Sequence, residues 1–402
     1  MSLHSRPAGS SDVPSETLIV EGGRPLSGRI SPSANKNAVL PILCASLLTD
    51  RTVVIRRVPD ITDVQKILDL FRQLGSAVDL KPDGTLTLYH GANLDPGAAV
   101  LPAGMRASVM LIPGLLYRFG RVVFEDDAKG CALGVREIDP HIEVFRAFGA
   151  VVSEEAGGIM IRAPNGFSAA GHWLDYASVT ATENFLICAA VADGNSRLTN
   201  AACEPHVQEL CAFLNEMGGK VTGAGTSSLT VTGVDGLGGA KFTLSDDFHE
   251  VATFLALGAI TGGEISVRND RPDHFPLIDR AFARLGVEVS HQNGYSSVHA
   301  GTGLIVRKPF TTALLPKIEA APWPYLPADL LPIFIALGAS AQGQTMFWNK
   351  VYEGALGWMP ELSKFGAHVV SCDPHRVITF GGGPWRQRRW RALTLSAPPS
   401  PS

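Results

Sequence analysis

One pattern recurs five times along this chain of 402 residues: an amphipathic helix that ends in an apolar residue and a glycine, followed at once by a strand. The copies read LFRQLGSAV, VFRAFGAVV, FLNEMGGKV, AFARLGVEV and LSKFGAHVV, with glycines at Gly75, Gly149, Gly218, Gly286 and Gly366. Successive glycines lie 68 to 80 residues apart. A glycine after the last helical residue is typical of a left-handed helix C-cap, so each copy predicts a helix, a cap and a strand.

A second helix, apolar and rich in small residues, precedes this pattern and leads through a turn into a strand. Examples are AVLPILCASLLTDRTVVI, ENFLICAAVADGNSRLT, EVATFLALGAITGGEISV and LLPIFIALGASAQGQTMF. Helices this apolar are buried on most sides. The sequence therefore predicts an α/β fold of βαβαβ-like units, each with one helix inside and one outside. Solenoid repeats are shorter, at roughly 20–50 residues, and lack this alternation, which favours an enzyme over a binding scaffold.

Five such units are too many for one core, so we expect two lobes, with three units in one lobe and the remainder in the other. The polar stretches at residues 31–37 and 243–247 are the predicted joints. A cleft between two lobes is the usual site for a polar substrate.

Composition narrows the functional classes. The net charge of −4 provides no basic field for nucleic acid. The six cysteines include no C-x-x-C pair, which argues against zinc or thioredoxin-like chemistry and favours a reducing compartment. The polar N-terminal stretch resembles neither a signal peptide nor an anchor, and no apolar run reaches the ~18–20 residues of a spanning helix. We therefore expect a soluble, cytoplasmic protein.

Two cationic side chains stand at the predicted starts of apolar helices. Lys36 lies in SANKN and Arg106 in GMRAS. The N-terminus of a helix favours an anion, because its backbone N–H groups and its dipole are positive there. Taken alone, each residue is more often a solvated side chain at an ordinary helix start, and neither motif decides by itself.

A loop at residues 129–141, KGCALGVREIDPH, holds a cysteine between two glycines. Lys129 and Arg136 are close to Cys131 in sequence, and positive neighbours raise the thiolate fraction of a cysteine. A loop flanked by glycines can also close over a bound substrate. The alternative is a packed, inert cysteine, but the polar surroundings favour a functional one.

Asp329 directly precedes the apolar helix LLPIFIALG. It could be a helix N-cap, the commonest role of Asp at that position, or a general base facing a cleft. Two histidines offer less: His249-Glu250 lacks the second histidine of an H-E-x-x-H site, and His206 has no partner at metal-ligand spacing. No metal site is predicted.

Taken together, these segments resemble a known family. In order they read SANKNAVLP, GMRAS, GCALGVREID, SVTATEN, EPHVQEL, LPADL and YEGALGWMPELSKFGA, within residues 17–383. The chain resembles the enolpyruvyl transferases, in particular those that act on UDP-N-acetylglucosamine in peptidoglycan precursor synthesis. It is more distantly similar to the shikimate-pathway enolpyruvyl transferase.

The resemblance implies a two-lobed inside-out α/β barrel of βαβαββ units, with the active site between the lobes. Residues 34–244 would form the first lobe, of three repeats. Residues 17–33 and 245–402 would form the second, of two repeats and an incomplete third, because the sequence after Phe380 does not match the family's sixth unit. Residues 1–16 would be a disordered tail.

The resemblance also implies roles in an addition–elimination reaction of phosphoenolpyruvate with a hydroxyl group. Lys36 and Arg136 would bind phosphoenolpyruvate, and Arg106 would belong to the same anion-binding cluster. Cys131 would act as the acid, and Asp329 would lie at the acceptor hydroxyl.

The remaining implied contacts hold the acceptor, a uridine nucleotide. Asn37 would contact it, while the backbone from Arg136 to Asp139, together with Ser178 and Val179, would hold the nucleotide. The resemblance implies small-molecule substrates, and we expect no cofactor, no metal, no nucleic acid and no membrane.

Three positions depart from the family pattern. Ala355 stands where an arginine is usual, Tyr176 where most members have lysine, and Phe248 where the family has the arginine of D-R-x-E. Losing cations near the nucleotide favours a simpler acceptor such as UMP, which a branch of the family uses in peptidyl nucleoside antibiotic synthesis. UDP-N-acetylglucosamine is the default acceptor, and a catalytically inactive nucleotide-binding relative is the third alternative.

Overall fold

The computed structural model describes residues 22–102, 105–124, 138–155, 158–299, 301, 303–310 and 314–385. Within these residues the helices alternate with single strands or with groups of two or three consecutive strands. The helices are α1 (Lys36–Ser46), α2 (Thr62–Gln73), α3 (Leu111–Phe119), α4 (Asp139–Ala147), α5 (Val179–Ala190), α6 (Pro205–Glu216), α7 (Phe248–Thr261), α8 (Pro276–Arg284), α9 (Leu331–Ser340) and α10 (Pro360–Ser363). The strands are β1 (Gly28–Ile30), β2 (Val53–Arg56), β3 (Ala77–Leu80), β4 (Leu86–Tyr89), β5 (Arg121–Phe124), β6 (Val151–Glu155), β7 (Gly158–Arg162), β8 (Gly171–Trp173), β9 (Asn195–Thr199), β10 (Lys220–Thr222), β11 (Ser228–Thr232), β12 (Ala240–Thr243), β13 (Ile265–Arg268), β14 (Val289–Gln292), β15 (Tyr295–Val298), β16 (Lys317–Ala320), β17 (Gly343–Asn349), β18 (His368–Asp373) and β19 (Arg376–Gly381).

Four sheets share one plan. In each, an edge strand runs parallel to its neighbour, and that neighbour pairs antiparallel with a two-stranded hairpin. The strand orders are β12-β2-β4-β3, β8-β9-β11-β10, β1-β13-β15-β14 and β16-β17-β19-β18. A further sheet, β5-β7-β6, contains antiparallel pairs. The predicted α/β fold of repeated units is confirmed. The sheets are open, and within the described ranges their strands do not close into a continuous barrel.

All five repeat glycines lie in left-handed backbone just after a helix, as the pattern predicts. Their φ angles are 94° at Gly75, 90° at Gly149, 92° at Gly218, 82° at Gly286 and 89° at Gly366. This conformation costs an L-residue roughly 1–2 kcal/mol, whereas glycine adopts it freely. Glycine therefore lets the chain turn from each outer helix into the following strand within a few residues.

The buried hydrophobic residues form two clusters. One is drawn from residues 34–244 and the other from residues 248–377. The apolar helices pack against one another inside them: α1 against α3 and α3 against α5 in the first cluster, α7 against α9 in the second. In contrast, α2 and α8 are strongly amphipathic and bury one face. None of the described helices is both long and apolar enough to cross a membrane.

Two connections cross between these clusters. The early strand β1 pairs with β13, so residues 28–30 join a sheet of the second cluster. The carboxylate of Asp246, fully buried, accepts hydrogen bonds from Arg57 after β2 and from Arg268 at the end of β13, with N–O distances of 2.5 and 2.6 Å. This ionic network holds the second crossing of the chain between the clusters.

Candidate active site

A cavity of about 370 Å³ lies where the two clusters meet. Its walls come from the start of α1, the start of α7, the turn before α9 and the segment after β17. Residues far apart in sequence, such as Lys36 and Asp329, therefore line the same space.

Lys36 is the first residue of α1, and its side chain is exposed at the cavity. The helix starts here because the buried Asn35 caps it: its side-chain oxygen accepts the backbone N–H of Asn37 at 3.1 Å. The backbone N–H of Lys36 donates to Asp247 Oδ2 at 3.3 Å, which ties this helix start to the second cluster. A lysine and the positive end of a helix dipole together suit an anionic substrate group.

Asp329 lies in a short helical turn, residues 328–330, immediately before α9. Its side chain is exposed and lines the cavity. The N-cap position of α9 is Leu330, and no side chain caps that helix. The structure therefore decides against the capping alternative, and it leaves the carboxylate of Asp329 accessible to a substrate hydroxyl.

Asp247 and His249, at the start of α7, also line the cavity, although no sequence motif singled them out as site residues. The Asp247 carboxylate caps α7 by accepting the backbone N–H groups of His249 and Glu250 at 2.8 and 3.3 Å. Nδ1 of His249 lies 3.4 Å from Asp247 Oδ1. Burial raises the pKa of Asp247, but its contacts with His249 and the Lys36 N–H outweigh this, so the net pKa is lowered. A negative charge is thus held beside Lys36.

Buried titratable groups lie close to this cavity. Burial, assisted by the charge of His249, lowers the pKa of His206 to about 3, so this imidazole is neutral near pH 7. Burial also raises the pKa of Glu183 and of Glu204. The charge of Glu204 raises the pKa of Glu183 further, and the charge of Asp329 raises that of Glu204. Of these groups, Glu204 is the one whose pKa responds to the charge of Asp329.

The predicted nucleotide-binding residues lie at the N-termini of two packed helices. Asp139 begins α4 and is exposed, while Ser178 caps α5 and Val179 begins it. The buried His141 joins the two helices: its ring nitrogens lie 2.9 Å from Asn184 Nδ2 and 3.3 Å from Thr180 Oγ1. These predicted contacts are therefore near one another, but together with Asn37 they do not line the 370 Å³ cavity.

Several predicted residues cannot be compared with this geometry. Lys129, Cys131 and Arg136 lie outside the described residues. Arg106 begins a short helical turn, residues 106–110. A larger cavity, of about 460 Å³, runs along β5.

The model of the family described as EPSP synthase (3-phosphoshikimate 1-carboxyvinyltransferase) matches residues 20–385. The chain belongs to this family. Among curated relatives of this EPSP synthase-family protein, the UDP-N-acetylglucosamine 1-carboxyvinyltransferase of Borreliella burgdorferi is 36% identical over 370 residues, covering 91% of this chain and 85% of the relative. That of Treponema pallidum is 38% identical over 369 residues, covering 90% and 84%.

Solved structures confirm the fold of this family member. The enolpyruvyl transferase NikO from Streptomyces tendae superposes with a TM-score of 0.77 at 24% identity, covering 91% of this chain and 84% of NikO. EPSP synthase from Acinetobacter baumannii gives a TM-score of 0.66 at 17% identity, covering 91% and 84%. The expected membership of the enolpyruvyl transferases, and with it the enzyme class, is confirmed.

The three departures from the family pattern differ in their surroundings. Ala355 lines the cavity. Phe248 is 2% exposed, and its ring packs against those of Trp323 and His274, with centroids 5.9 and 6.4 Å apart. Tyr176 is 51% exposed. At positions 248 and 355 this EPSP synthase-family protein thus has a buried aromatic side chain and a small side chain, and neither offers a cation.

Proposed function

We propose that this protein transfers the enolpyruvyl group of phosphoenolpyruvate to a hydroxyl of a uridine nucleotide, with release of phosphate. The default acceptor is UDP-N-acetylglucosamine, the substrate in the names of the curated relatives, and the pathway is then peptidoglycan precursor synthesis. The supporting observation is the joint exposure of Lys36 and Asp329 in one cavity, although they lie 293 positions apart in the sequence.

The reaction needs a base, an acid and cations. The acceptor O–H adds across the double bond of phosphoenolpyruvate: oxygen bonds to C2 while C3 takes a proton. Loss of phosphate from C2 and of a proton from C3 then restores the double bond. In this proposal Asp329 receives the hydroxyl proton and Lys36 binds an anionic group of phosphoenolpyruvate.

The other assignments follow the family resemblance. Cys131 delivers the proton to C3, and Arg136 and Arg106 complete the anion-binding cluster. The nucleotide binds at Asn37, Asp139, Ser178 and Val179. The two hydrophobic clusters would then be the cores of the two lobes, with boundaries near residues 34 and 245.

A simpler acceptor, such as UMP, is the second candidate. It is favoured by the cavity wall at Ala355, which offers no cation, and by Phe248, whose ring is buried among aromatic rings. A monophosphate needs fewer cationic partners than a diphosphate sugar.

The test is phosphate release from phosphoenolpyruvate, with UDP-N-acetylglucosamine and UMP supplied separately. Release with the diphosphate sugar supports the default acceptor, and release with UMP alone supports the second candidate. If folded protein binds either nucleotide in equilibrium dialysis but releases no phosphate, the transferase proposal is wrong and the chain is an inactive nucleotide-binding relative.

A further inference from the structure

The backbone of Trp323 is held by two consecutive side chains from the other cluster. The thiol of Cys203 donates to the Trp323 carbonyl oxygen at 3.1 Å. The N–H of Trp323 donates to Glu204 Oε1 at 3.5 Å. Both residues immediately precede α6, so one short segment of the first cluster holds both polar groups of a single peptide residue in the second.

The loop that contains Trp323 leads directly to Asp329. The N–H of Ala321 donates to the Leu326 carbonyl oxygen at 3.2 Å, which closes the loop at its base. The N–H of Leu330 then donates to the Pro327 carbonyl oxygen at 3.1 Å and forms the turn that includes Asp329. The chain between Trp323 and Asp329 is therefore short and internally tied, so a shift of Trp323 changes the position of Asp329.

The indole ring of Trp323 packs against aromatic rings of the second cluster. It lies 5.9 Å from the Phe248 ring and 5.7 Å from the His274 ring, measured between centroids. Phe248 is adjacent to Asp247, which contacts the N–H of Lys36. The same aromatic contact thus connects the loop to the other wall of the cavity.

We propose that Cys203 and Glu204 form an inter-cluster clasp that positions Asp329 for reaction with the acceptor hydroxyl. This inference rests on the proposed function of Asp329. The clasp residues are positioning residues, because they act through the backbone of Trp323 and not on the substrate. The clasp also makes the geometry of the reacting carboxylate depend on the approach of the two clusters.

The part that Glu204 plays in the clasp needs an acceptor atom for the Trp323 N–H. Its Oε2 is buried and has no hydrogen-bond partner in the part of the chain that the structure describes. Burial raises the pKa of this carboxyl, and the neighbouring Asp329 raises it further. A glutamine has nearly the same shape and can accept the Trp323 N–H with its amide oxygen. Glu204→Gln should therefore preserve the clasp.

The experiment compares Glu204→Ala, Glu204→Gln and a control, Glu216→Ala, which removes an exposed carboxylate at the end of the same helix. Steady-state phosphate release gives kcat and the KM for phosphoenolpyruvate. We expect Glu204→Ala to lower kcat about tenfold or more with KM within about threefold, because a misplaced reacting group slows the chemical step. Glu204→Gln and Glu216→Ala should stay within about threefold of the wild type in both constants.

Cys203 provides an independent pair of variants. Cys203→Ser keeps a donor for the Trp323 carbonyl oxygen, whereas Cys203→Val has a similar size but no donor. We expect kcat to fall for the valine variant and to be largely retained for the serine variant.

A second measurement does not depend on activity. Hydrogen exchange in peptides covering residues 321–331 should accelerate about tenfold in Glu204→Ala and be unchanged in Glu216→Ala, because Trp323 loses its acceptor. Unchanged exchange in Glu204→Ala, or a glutamine variant as slow in turnover as the alanine variant, would overturn the clasp. Faster exchange in an enzyme that has no transferase activity would instead refute the proposed function and leave the contact itself intact.

Discussion

Replacement of Asp246 by alanine should lower the free energy of unfolding far more than replacement of an exposed charged residue such as Asp69. The Asp246 carboxylate is fully buried and accepts hydrogen bonds from Arg57, Arg268 and the N–H of Asp270. The Nη2 atoms of the two arginines lie 2.5 and 2.6 Å from the same oxygen. Without the carboxylate, two guanidinium groups from different clusters would face each other, and Asp270, 3.5 Å from Arg57, would be the carboxylate that remains beside them.

The size of the effect follows from these contacts. Removing one partner of a buried ion pair typically costs about 3–5 kcal/mol, because the remaining charge is left without compensation. Each arginine is partly solvated, with 26% and 38% of its side chain exposed, so water recovers part of the loss. We therefore expect about 3 kcal/mol for Asp246→Ala. Asp246→Asn keeps one acceptor oxygen, and we expect about 2 kcal/mol.

Urea unfolding followed by far-ultraviolet circular dichroism measures these differences. Asp69→Ala is the control, because it breaks an exposed pair with Arg72 and should cost less than about 1 kcal/mol. A double-mutant cycle with Arg57→Ala should give a coupling energy above about 1 kcal/mol. If Asp246→Ala lost no more stability than Asp69→Ala, the reasoning that this network joins the clusters would be refuted.

Three further predictions concern the reaction and pH. Asp329→Asn should lower kcat at least about 100-fold with nucleotide binding retained, as measured by phosphate release and equilibrium dialysis. Cys131→Ser should abolish turnover and labelling by an epoxide mimic of phosphoenolpyruvate, whereas Cys131→Asp should keep turnover and escape the label. Burial lowers the pKa of His90 to about 3, with Ser46 and Ser76 hydroxyls 2.9 and 2.8 Å from its ring nitrogens. The folded-state pKa of His90 is below the unfolded value, so the stabilisation from its neutral imidazole is present above about pH 6.5 and is lost as pH falls toward 3. Between pH 6.5 and 5, the free energy of unfolding should therefore fall by about 2 kcal/mol more in wild type than in His90→Gln.

These predictions have distinct contradicting results. Asp235→Asn, at an exposed carboxylate, controls for loss of charge, and equal turnover in both asparagine variants would exclude Asp329 as the base. Full activity of Cys131→Ser would remove the thiol from the mechanism. If the free energy of unfolding fell equally with pH in wild type and His90→Gln, the pKa of His90 would be the same in the folded and the unfolded chain, which contradicts the prediction.

The sequence by itself determined the repeated architecture. The five helix–glycine–strand patterns predicted left-handed glycines and strand starts, and these are local properties of a few neighbouring residues. The sequence likewise distinguished the apolar helices from the amphipathic ones, since the periodicity of apolar residues indicates how much of each helix is buried. Lys36 and Asp329 were identified as candidates by their positions before apolar helices, without any knowledge of their separation in space.

Only the tertiary structure decided which of these residues meet. The cavity joins Lys36 to Asp329 and adds Asp247 and His249, which flank Phe248 at the start of α7 and were not predicted as site residues. The structure also distinguished a free carboxylate at Asp329 from a helix cap, a choice that depends on one hydrogen bond. The contacts of Cys203 and Glu204 with Trp323 span about 120 residues of sequence. Such contacts depend on how two hydrophobic clusters pack against each other, and a local pattern does not contain that information.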